Sequence, residues 1–458
     1  MEAQQPLDVL IVGGGPAGTA TALSVLRENP ALRVGLVEKT CYESSRVGES
    51  LSPGATGLLQ QLGALTRFER AGHLPAYGNS AAWGSGAVQD RDFLFTPFGY
   101  GWRLNRRRFD ADLAADACDA GARLWTNASV ESLEREAGGW RVGIRQQGTS
   151  STLQARFVVD ASGRSQSLAR RMGARRRLLD SLVALAVHFP AEQDGHRFTL
   201  VEACDEGWFY SSYVPGDGAD QPPGWWVALM CDADRMRSEN LRRFESWSAR
   251  LQACPYTCER LRGIGTPSAI RAVAAQSALL EPMSGDDWLA VGDAAASHDP
   301  LSSSGIVRAL DSGIRAGRAI ARACRTAGSP GESIEHEFCE LALAQQVASQ
   351  QYLGTWARYY QMEQRWPESP FWRRRQRLVT LNPMSMLQAR SLVGLIEAPQ
   401  WPSDLAPLEP RSLLQLCAAS SRACDIVMKH PLRERLGDLS IIFGLQWLLE
   451  IGELAVMV

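Results

Sequence analysis

An apolar run that leads directly into a glycine-rich turn is the feature that most restricts the fold of this chain. The segment 7-LDVLIVGGGPAGTATALSVLREN-29 reads as a strand, a tight turn and a helix with apolar residues at helical spacing. Gly13 permits the turn, Gly15 lets the backbone approach a pyrophosphate, and Gly18 lets the helix pack closely on the strand. The free N–H groups at the start of such a helix suit phosphate oxygens. The pattern predicts a dinucleotide-binding unit.

A second strand strengthens this prediction. The segment 33-RVGLVEK-39 is apolar and ends in Glu38, which follows Gly18 at the spacing where a carboxylate accepts hydrogen bonds from a ribose. We therefore expect a bound dinucleotide.

Composition excludes several other classes of protein. The 458 residues suffice for two or three domains, and the net charge of −2 gives no broad field for nucleic acid or an anionic membrane. The ten cysteines are scattered, and the pair Cys254 and Cys258 has no second pair at zinc-ligand spacing. The N-terminus does not resemble a signal peptide, and no run of 18 apolar residues occurs. We expect a reduced cytoplasmic protein without a metal, a membrane span or a nucleic-acid partner.

Three further segments identify the dinucleotide. The stretch 104-LNRRRFDADLAADACDAGARLW-125 reads as a helix and a strand, 153-LQARFVVDASGRSQSLARRMG-173 as a strand, a DASG turn and a helix, and 292-GDAAASHDPLSSSGI-306 as a loop that enters a helix. Together with the first segment, they resemble the FAD-dependent aromatic hydroxylases and their halogenase and prenyl-reductase relatives. The cofactor that this resemblance implies is FAD.

The resemblance also implies roles for individual residues. Arg106 contacts the flavin nucleotide, Asp160 and Gly163 belong to the second fingerprint, Asp293 holds the ribityl chain, and Pro300 begins a turn against the isoalloxazine ring. The residues expected to bind FAD are Gly13, Gly15, Pro16, Ala17, Gly18, Glu38, Lys39, Arg46, Ser50, Arg106, Val130, Asp160, Gly163, Gly292, Asp293, Pro300, Ser304, Gly305 and Ile306.

The helix after Pro300 has a physical reason to face the flavin. Its N-terminus carries roughly half a positive charge, which would stabilise the negative charge of a reduced flavin, and Gly305 has no side chain to hold the ring away. His298 is a candidate catalytic base in this loop. A structural role for His298 is the preferred interpretation, because oxygen transfer to an electron-rich ring needs placement more than a base.

The segment 46-RVGESLSPGATGLLQQLG-63 resembles the GES motif of the halogenase-like branch, which lies across the flavin from the DP loop. Glu49 is therefore a second catalytic candidate, and the alternative is a carboxylate that caps a helix or orders a loop. No second glycine-rich strand–turn–helix follows, so we expect no separate nicotinamide domain. NADH or NADPH that docks transiently, or an outside reductase, would reduce the flavin, with molecular oxygen as the oxidant.

Aromatic strands lie between the DASG and GDAA motifs. Residues 197–218 and 224–235 have the β-branched and aromatic runs of an antiparallel sheet. Four of these side chains either line a pocket for a flat apolar substrate or belong to the core: Trp208, Tyr210, Trp225 and Trp226.

The expected fold class is α/β. A discontinuous Rossmann-like FAD-binding domain of the glutathione-reductase type (1–180 and 265–330) carries an inserted antiparallel-sheet substrate domain (181–264), and a C-terminal helical region (331–458) follows. These last helices either pack over the two domains or build a surface for a large partner.

A finer resemblance concerns function. GDAA, DPLSS-x-GI and the segment 359-YYQMEQRWPESPFW-372 are most similar to flavoproteins that modify a tryptophan of another polypeptide. These include the partner enzymes of lysine and glycine oxidases and the QhpG-type hydroxylases of quinohemoprotein amine dehydrogenase maturation. The implied activity is an FAD-dependent monooxygenase that hydroxylates a tryptophan of a partner polypeptide during biogenesis of a tryptophylquinone cofactor.

Several alternatives remain. A flavin-dependent halogenase requires a lysine after the GES segment, and residues 50–110 contain none. A small-molecule aromatic hydroxylase and a prenyl reductase share the fold. A flavin-bound maturation chaperone without catalytic activity would consume no stoichiometric nicotinamide or oxygen.

Overall fold

The computed structural model describes residues 5–44, 46–93, 98–192, 198–216, 221–264, 267–325 and 334–377. The chain divides into two units, 1–381 and 382–458, and every described residue lies in the first. The segment 431–458 of the predicted helical region lies outside the described residues.

The described elements include 21 strands and ten α-helices. The strands are β1 (Leu7–Val12), β2 (Val34–Val37), β3 (Ser50–Leu51), β4 (Leu74–Ala76), β5 (Gly78–Ala82), β6 (Gln89–Asp92), β7 (Gly101–Arg103), β8 (Arg123–Trp125), β9 (Ala128–Glu136), β10 (Gly139–Gln146), β11 (Thr149–Asp160), β12 (Arg175–Leu178), β13 (Leu182–Pro190), β14 (Phe198–Cys204), β15 (Gly207–Val214), β16 (Gly224–Asp232), β17 (Arg271–Ala274), β18 (Ala278–Glu281), β19 (Ser284–Gly285), β20 (Trp288–Ala290) and β21 (Ala296–Ser297). The helices are α1 (Pro16–Glu28), α2 (Ala55–Leu62), α3 (Leu65–Glu69), α4 (Arg106–Asp119), α5 (Ala233–Ser238), α6 (Phe244–Leu251), α7 (Pro255–Arg260), α8 (Gly305–Arg325), α9 (Ile334–Met362) and α10 (Pro370–Arg377).

A parallel sheet forms the centre of the nucleotide-binding half. Its strands run β20-β11-β1-β2-β8, all parallel, and β19 closes one edge in the antiparallel sense. The central strand β1 is buried on both faces from Val9 to Val12, as expected for a parallel sheet covered on both sides. β9 and β10 extend the N-terminal part of β11 as an antiparallel hairpin. The predicted α/β class with a Rossmann-like parallel sheet is confirmed.

Helices α1 and α8 pack closely because glycines face the contact. A Cβ added at Gly313 would lie 2.5 Å from the carbonyl oxygen of Ala17, and one added at Gly317 would lie 2.5 Å from Ser24 Cβ. The Ser24 hydroxyl also donates a 2.8 Å hydrogen bond to the carbonyl of Ile314. This contact fixes α8 relative to the glycine-rich loop that begins α1.

The second large sheet is mostly antiparallel, with strand order β17-β13-β16-β15-β14-β5-β6. β14 pairs with β5 in the parallel sense, so residues 78–92 join the strands of residues 182–274. Each face of the sheet packs in a separate apolar core.

Helices α9 and α10 cover one of these faces. Trp356, Tyr360, Phe371 and Trp372 are buried in its core. Arg375 forms a buried ion pair of 2.8 Å with Asp232 at the end of β16. The described part of the C-terminal region therefore forms two helices that pack against the sheet. No helix within the described ranges is both long and apolar enough to cross a membrane.

Candidate functional site

Among the glycines of the loop after β1, only Gly15 has open space around the position of an added Cβ. A Cβ at Gly13, where φ is +114°, would lie 2.2 Å from the carbonyl oxygen of Ala161, and one at Gly18 would lie 1.9 Å from the carbonyl oxygen of Gly13. At Gly15 the nearest heavy atom to an added Cβ is Arg46 Nη1, 4.0 Å away. Gly13 and Gly18 are therefore needed for packing, and Gly15 at the start of α1 leaves room for a group that approaches the backbone.

Glu38 ends β2 and is fixed against this loop. Its Oε2 accepts a 2.7 Å hydrogen bond from the N–H of Gly14, and its Oε1 accepts hydrogen bonds from Thr40 and, at 3.0 Å, from Arg46. A carboxylate has about four lone-pair positions, so Oε2 retains one for a ligand hydroxyl. The adjacent Lys39 is exposed.

Two arginines share one buried carboxylate beside this loop. Arg46 Nη1 lies 2.9 Å from Asp110 Oδ2, and Arg106 contacts the same carboxylate one helical turn earlier on α4. Arg106 Nη1 also donates to the carbonyls of Val47 and Gly48. The sequence analysis missed Asp110, although its position four residues after Arg106 is a recognisable ion-pair spacing on a helix.

The GES segment borders a cavity that is lined by Arg46, Glu49, Leu104, Asn105, Arg106, Arg107, Val214, Pro215, Gln221 and Trp226. Burial raises the pKa of Glu49, and backbone N–H groups and the charges of Arg106 and Arg271 oppose this shift. The Glu49 carbonyl accepts from the N–H of Leu104, and Ser50 Oγ lies 2.8 Å from the Tyr210 hydroxyl. The backbone of Glu49 thus orders the loop, and the buried residue borders the cavity.

Asp160 at the end of β11 orders the second fingerprint loop. Its carboxylate accepts three backbone hydrogen bonds, from the N–H groups of Ser162, Leu168 and Ala169. Its side chain therefore shapes the loop instead of offering a free carboxylate. Gly163 in this loop has a φ of +65° and open space around the position of a Cβ.

The third motif returns the chain to the glycine loop. A Cβ at Gly292, where φ is +58°, would lie 2.7 Å from the Cβ of Ala17 on α1. Asp293 follows, with its side chain 35% exposed and Oδ2 3.3 Å from Arg164 Nε. Arg164 also donates to the carbonyl of His298, so it links the second and third motifs.

His298 does not have the geometry of a free base. Its Nε2 lies 3.2 Å from Arg308 Nη1. A guanidinium only donates, so Nε2 accepts and the proton of the neutral ring lies on Nδ1. The ring is buried and lies 4.1 Å from that of Tyr352. The Nε2 lone pair of His298 is thus engaged by Arg308, and a role as catalytic base stays a prediction.

The start of α8 is open where the flavin ring was expected. The 3-10 turn Pro300–Ser302 precedes it, and Ser302 and Ser304 bond each other through their hydroxyls at 2.8 Å. No heavy atom lies within 4 Å of a Cβ added at Gly305. Ile306 is buried in the core of the parallel sheet.

Val130 has a different setting from the other predicted cofactor residues. It is half-buried on β9, where it packs against the core that contains Val12 and Val37. Its carbonyl accepts a 3.2 Å hydrogen bond from Arg171.

The four aromatic residues predicted to line a pocket do not form one group. Trp208, Tyr210 and Trp226 belong to the face of the antiparallel sheet that α9 and α10 cover, and Trp225 packs in the opposite core. Successive strand residues point to opposite faces, so Trp225 cannot line a pocket with Trp226. Trp208 is fully buried and donates to the Tyr360 hydroxyl. Trp208 and Trp225 therefore agree with the core alternative, and of the four residues Trp226 borders the cavity.

A family model described as FAD binding domain matches residues 6–340. The chain belongs to this FAD-binding family. The geometry fits the cofactor. The backbone has open space at Gly15 and Gly305, and Oε2 of Glu38 can accept one further hydrogen bond. In the parts of the chain that the structure describes, no group of three or more His, Cys, Asp and Glu side chains is arranged to hold a metal ion.

Relatives of the FAD-binding chain include oxidoreductases and halogenases. It is 28% identical over 374 residues to LodB of Marinomonas mediterranea, named as an FAD-dependent oxidoreductase, a match that covers 80% of this chain and 96% of LodB. It is 25% identical over 378 residues to the flavin-dependent halogenase armH3 of Armillaria mellea, covering 74% of this chain and 71% of the halogenase. The prediction of a flavin-dependent enzyme of the monooxygenase type is confirmed.

Two solved structures share the fold. The myxobacterial chondrochloren halogenase CndH superposes with a TM-score of 0.72 at 24% identity, over 86% of this chain and 90% of CndH. The peptidyl tryptophan dihydroxylase QhpG, described as essential for tryptophylquinone cofactor biogenesis, superposes with a TM-score of 0.62 at 22% identity, over 98% of this chain and 100% of QhpG.

Proposed function

We propose that this flavoprotein is a monooxygenase that hydroxylates a tryptophan side chain of a partner polypeptide during biogenesis of a tryptophylquinone cofactor. The observation that carries the proposal is the cavity beside the GES segment. Glu49 is the one carboxylic acid and Trp226 the one aromatic residue among its described lining residues, and none of them is a lysine. A halogenase would need an amine there, whereas direct oxygen transfer to an indole does not.

The chain's own residues would divide the work of holding FAD. Gly15 and the N-terminus of α1 would take the pyrophosphate, the remaining Oε2 position of Glu38 a ribose hydroxyl, and Asp293 the ribityl chain. The start of α8 at Gly305 would face the pyrimidine edge of the ring. All of these residues lie in the proposed FAD-binding domain (1–180 and 265–330). Residues 181–264 would form the sheet domain, and residues 331–458 the helical region.

Bound FAD supplies oxygen activation, with two electrons from NADH or NADPH. One atom of O₂ would be inserted into a C–H bond of the indole ring to give a hydroxyl group. The second atom would leave as water, which takes up the two electrons, the hydrogen that NADH or NADPH delivers with them and one proton from solution. Glu49 borders the cavity with its pKa raised by burial. We assign it the hydrogen bond from the indole N–H, which would orient the ring.

Exposed aromatic side chains near the strand that pairs with the GES segment support a polypeptide substrate. Tyr77 and Tyr100 are 39% and 45% exposed, and their ring centroids lie 5.9 Å apart. Tyr100 also contacts Trp102 on β7, which pairs with the GES strand β3. Tyrosine is enriched where proteins bind each other. The name of QhpG, a peptidyl tryptophan dihydroxylase, is consistent with this substrate class.

Co-expression tests the proposal. A candidate small polypeptide that carries the target tryptophan would be purified with and without this chain, and its intact mass would be measured. We expect a gain of one or two oxygen atoms at a single tryptophan, absent when that tryptophan is replaced by phenylalanine and absent with a Gly15→Val variant. A halogen mass, or an unmodified polypeptide whose yield alone increases, would favour a halogenase or a chaperone.

A further inference from the structure

The DP loop contains a buried acid that the cofactor proposal does not use. Asp299 is 1% exposed, and its Oδ1 accepts a 2.9 Å hydrogen bond from the N–H of Leu301 within the turn that precedes α8. Its Oδ2 accepts hydrogen bonds from two α9 side chains, at 2.9 Å from Trp356 Nε1 and at 2.7 Å from the Tyr360 hydroxyl. The carboxylate therefore ties the loop to a helix more than 50 residues later in the chain.

The direction of these hydrogen bonds is fixed by chemistry. Trp208 Nε1 can only donate, and it lies 3.0 Å from the Tyr360 oxygen. That oxygen accepts from Trp208, so the Tyr360 proton is free to point at Asp299. A chain of hydrogen bonds thus runs from β15 of the antiparallel sheet through α9 to the loop.

A third α9 residue holds the other side of the same turn. The Tyr352 hydroxyl donates a 2.8 Å hydrogen bond to the Asp299 carbonyl, and its ring packs on His298. Tyr352, Trp356 and Tyr360 recur every four residues, so one stripe of α9 contacts the loop along its length.

We propose that Trp356 and Tyr360 are positioning residues that hold Asp299 and thereby set where the N-terminus of α8 meets the flavin. The loop leads within six residues from Asp299 to Gly305, the first residue of α8. The partial positive charge at this helix end stabilises a reduced, anionic flavin only if it stays close to the ring. The role concerns any reaction of the bound flavin, so it extends beyond the proposed hydroxylation and does not depend on it.

The variants Tyr360→Phe and Asp299→Asn test this role, and both keep the side-chain shape. Tyr360→Phe removes one hydrogen bond to Asp299, and Asp299→Asn removes the negative charge and leaves one acceptor oxygen for the three donors. Three properties of the holoprotein would be measured: the FAD dissociation constant, the flavin absorbance spectrum and the flavin midpoint potential. We expect FAD binding to weaken by about tenfold, a shifted flavin spectrum and a more negative potential. Tyr359→Phe is the matched control, since Tyr359 is exposed on the same helix.

The outcomes separate positioning from simple packing. A lower melting temperature in Tyr360→Phe with unchanged FAD affinity, spectrum and potential would overturn the proposal, as would equal effects of Tyr359→Phe. If Tyr360→Phe does not fold, the same three measurements on Asp299→Asn decide. None of these readouts uses a polypeptide substrate, so failure here is distinct from failure of the proposed hydroxylation.

Discussion

The Glu38 carboxylate accepts a 2.7 Å hydrogen bond from the backbone N–H of Gly14. This contact joins the end of β2 to the glycine loop after β1, which fixes the acid at the place where a ribose would lie. Arg46 bonds the same carboxylate and also Asp110 on α4. The proposed nucleotide end of the cofactor site is thus assembled from three separate segments before any ligand contributes.

The glycines of the first loop should respond differently to substitution. Gly15→Ala adds a Cβ that meets no atom closer than 4.0 Å, so the apoprotein should keep its melting temperature while FAD binding is lost. Gly18→Ala places a Cβ 1.9 Å from the Gly13 carbonyl, so it should destabilise the apoprotein by roughly 1–3 kcal/mol. Thermal unfolding and flavin titration check both, with Gly54→Ala as a control in open space. Full FAD affinity in Gly15→Ala would disprove the assigned pyrophosphate position.

Asp293 should contribute to FAD affinity more than to folding. Its side chain is 35% exposed, so Asp293→Ala should change the melting temperature of the apoprotein little. Loss of a charge-assisted hydrogen bond to the ribityl chain should weaken FAD binding by roughly tenfold. Flavin fluorescence titration measures the constant. Asp286→Ala, at an exposed carboxylate on a nearby turn, is the control and should bind FAD normally.

Glu49 should make stability depend on pH. Burial raises its folded pKa above the ordinary value of 4.5, so the folded protein binds this proton more tightly than the unfolded chain does. The associated stability is complete below pH 4.5 and is lost as pH rises through the folded pKa. As pH rises from 4.5 through the folded pKa of Glu49, the free energy of unfolding of the wild type should fall relative to that of the Glu49→Gln variant. Denaturant unfolding at several pH values checks this, and a pH-independent difference, or the same trend in the exposed control Glu69→Gln, would contradict it.

Neighbouring tryptophans on β16 should separate substrate binding from packing. Trp226 borders the cavity, and Trp225 packs against Tyr213 and Arg260 on the other face. Trp226→Phe should raise the substrate KM, while Trp225→Phe should lower the melting temperature and leave KM unchanged. Steady-state kinetics and thermal unfolding of both variants test this assignment, and an equal KM change in Trp225→Phe would contradict it.

The parts of the site that could be predicted are those carried by local patterns. Gly13, Gly18 and Glu38 lie within two adjacent strand–turn units, where spacing determines contact. The opposite faces of Trp225 and Trp226 were also readable, since strand side chains alternate. The i,i+4 spacing of Arg106 and Asp110 was a further available signal.

Long-range contacts could not be predicted in this way. Asp299 meets Trp356 and Tyr360 only because α9 packs on the loop, and no sequence spacing encodes that packing. The tautomer of His298 likewise depends on Arg308, which approaches from α8. The acceptor nitrogen of His298 is therefore engaged by a tertiary contact that the motif alone does not show.

Isotope labelling during turnover tests the central claim most directly. The purified holoprotein would receive NADH or NADPH, ¹⁸O₂, chloride and bromide, with a tryptophan-containing partner polypeptide or free tryptophan as substrate, and the product mass would be measured. We predict ¹⁸O at one tryptophan of the polypeptide, no halogen, and much slower turnover of free tryptophan, because remote contacts position the ring. A chlorine or bromine isotope pattern, oxygen derived from water, or equal turnover of the free amino acid would contradict the account.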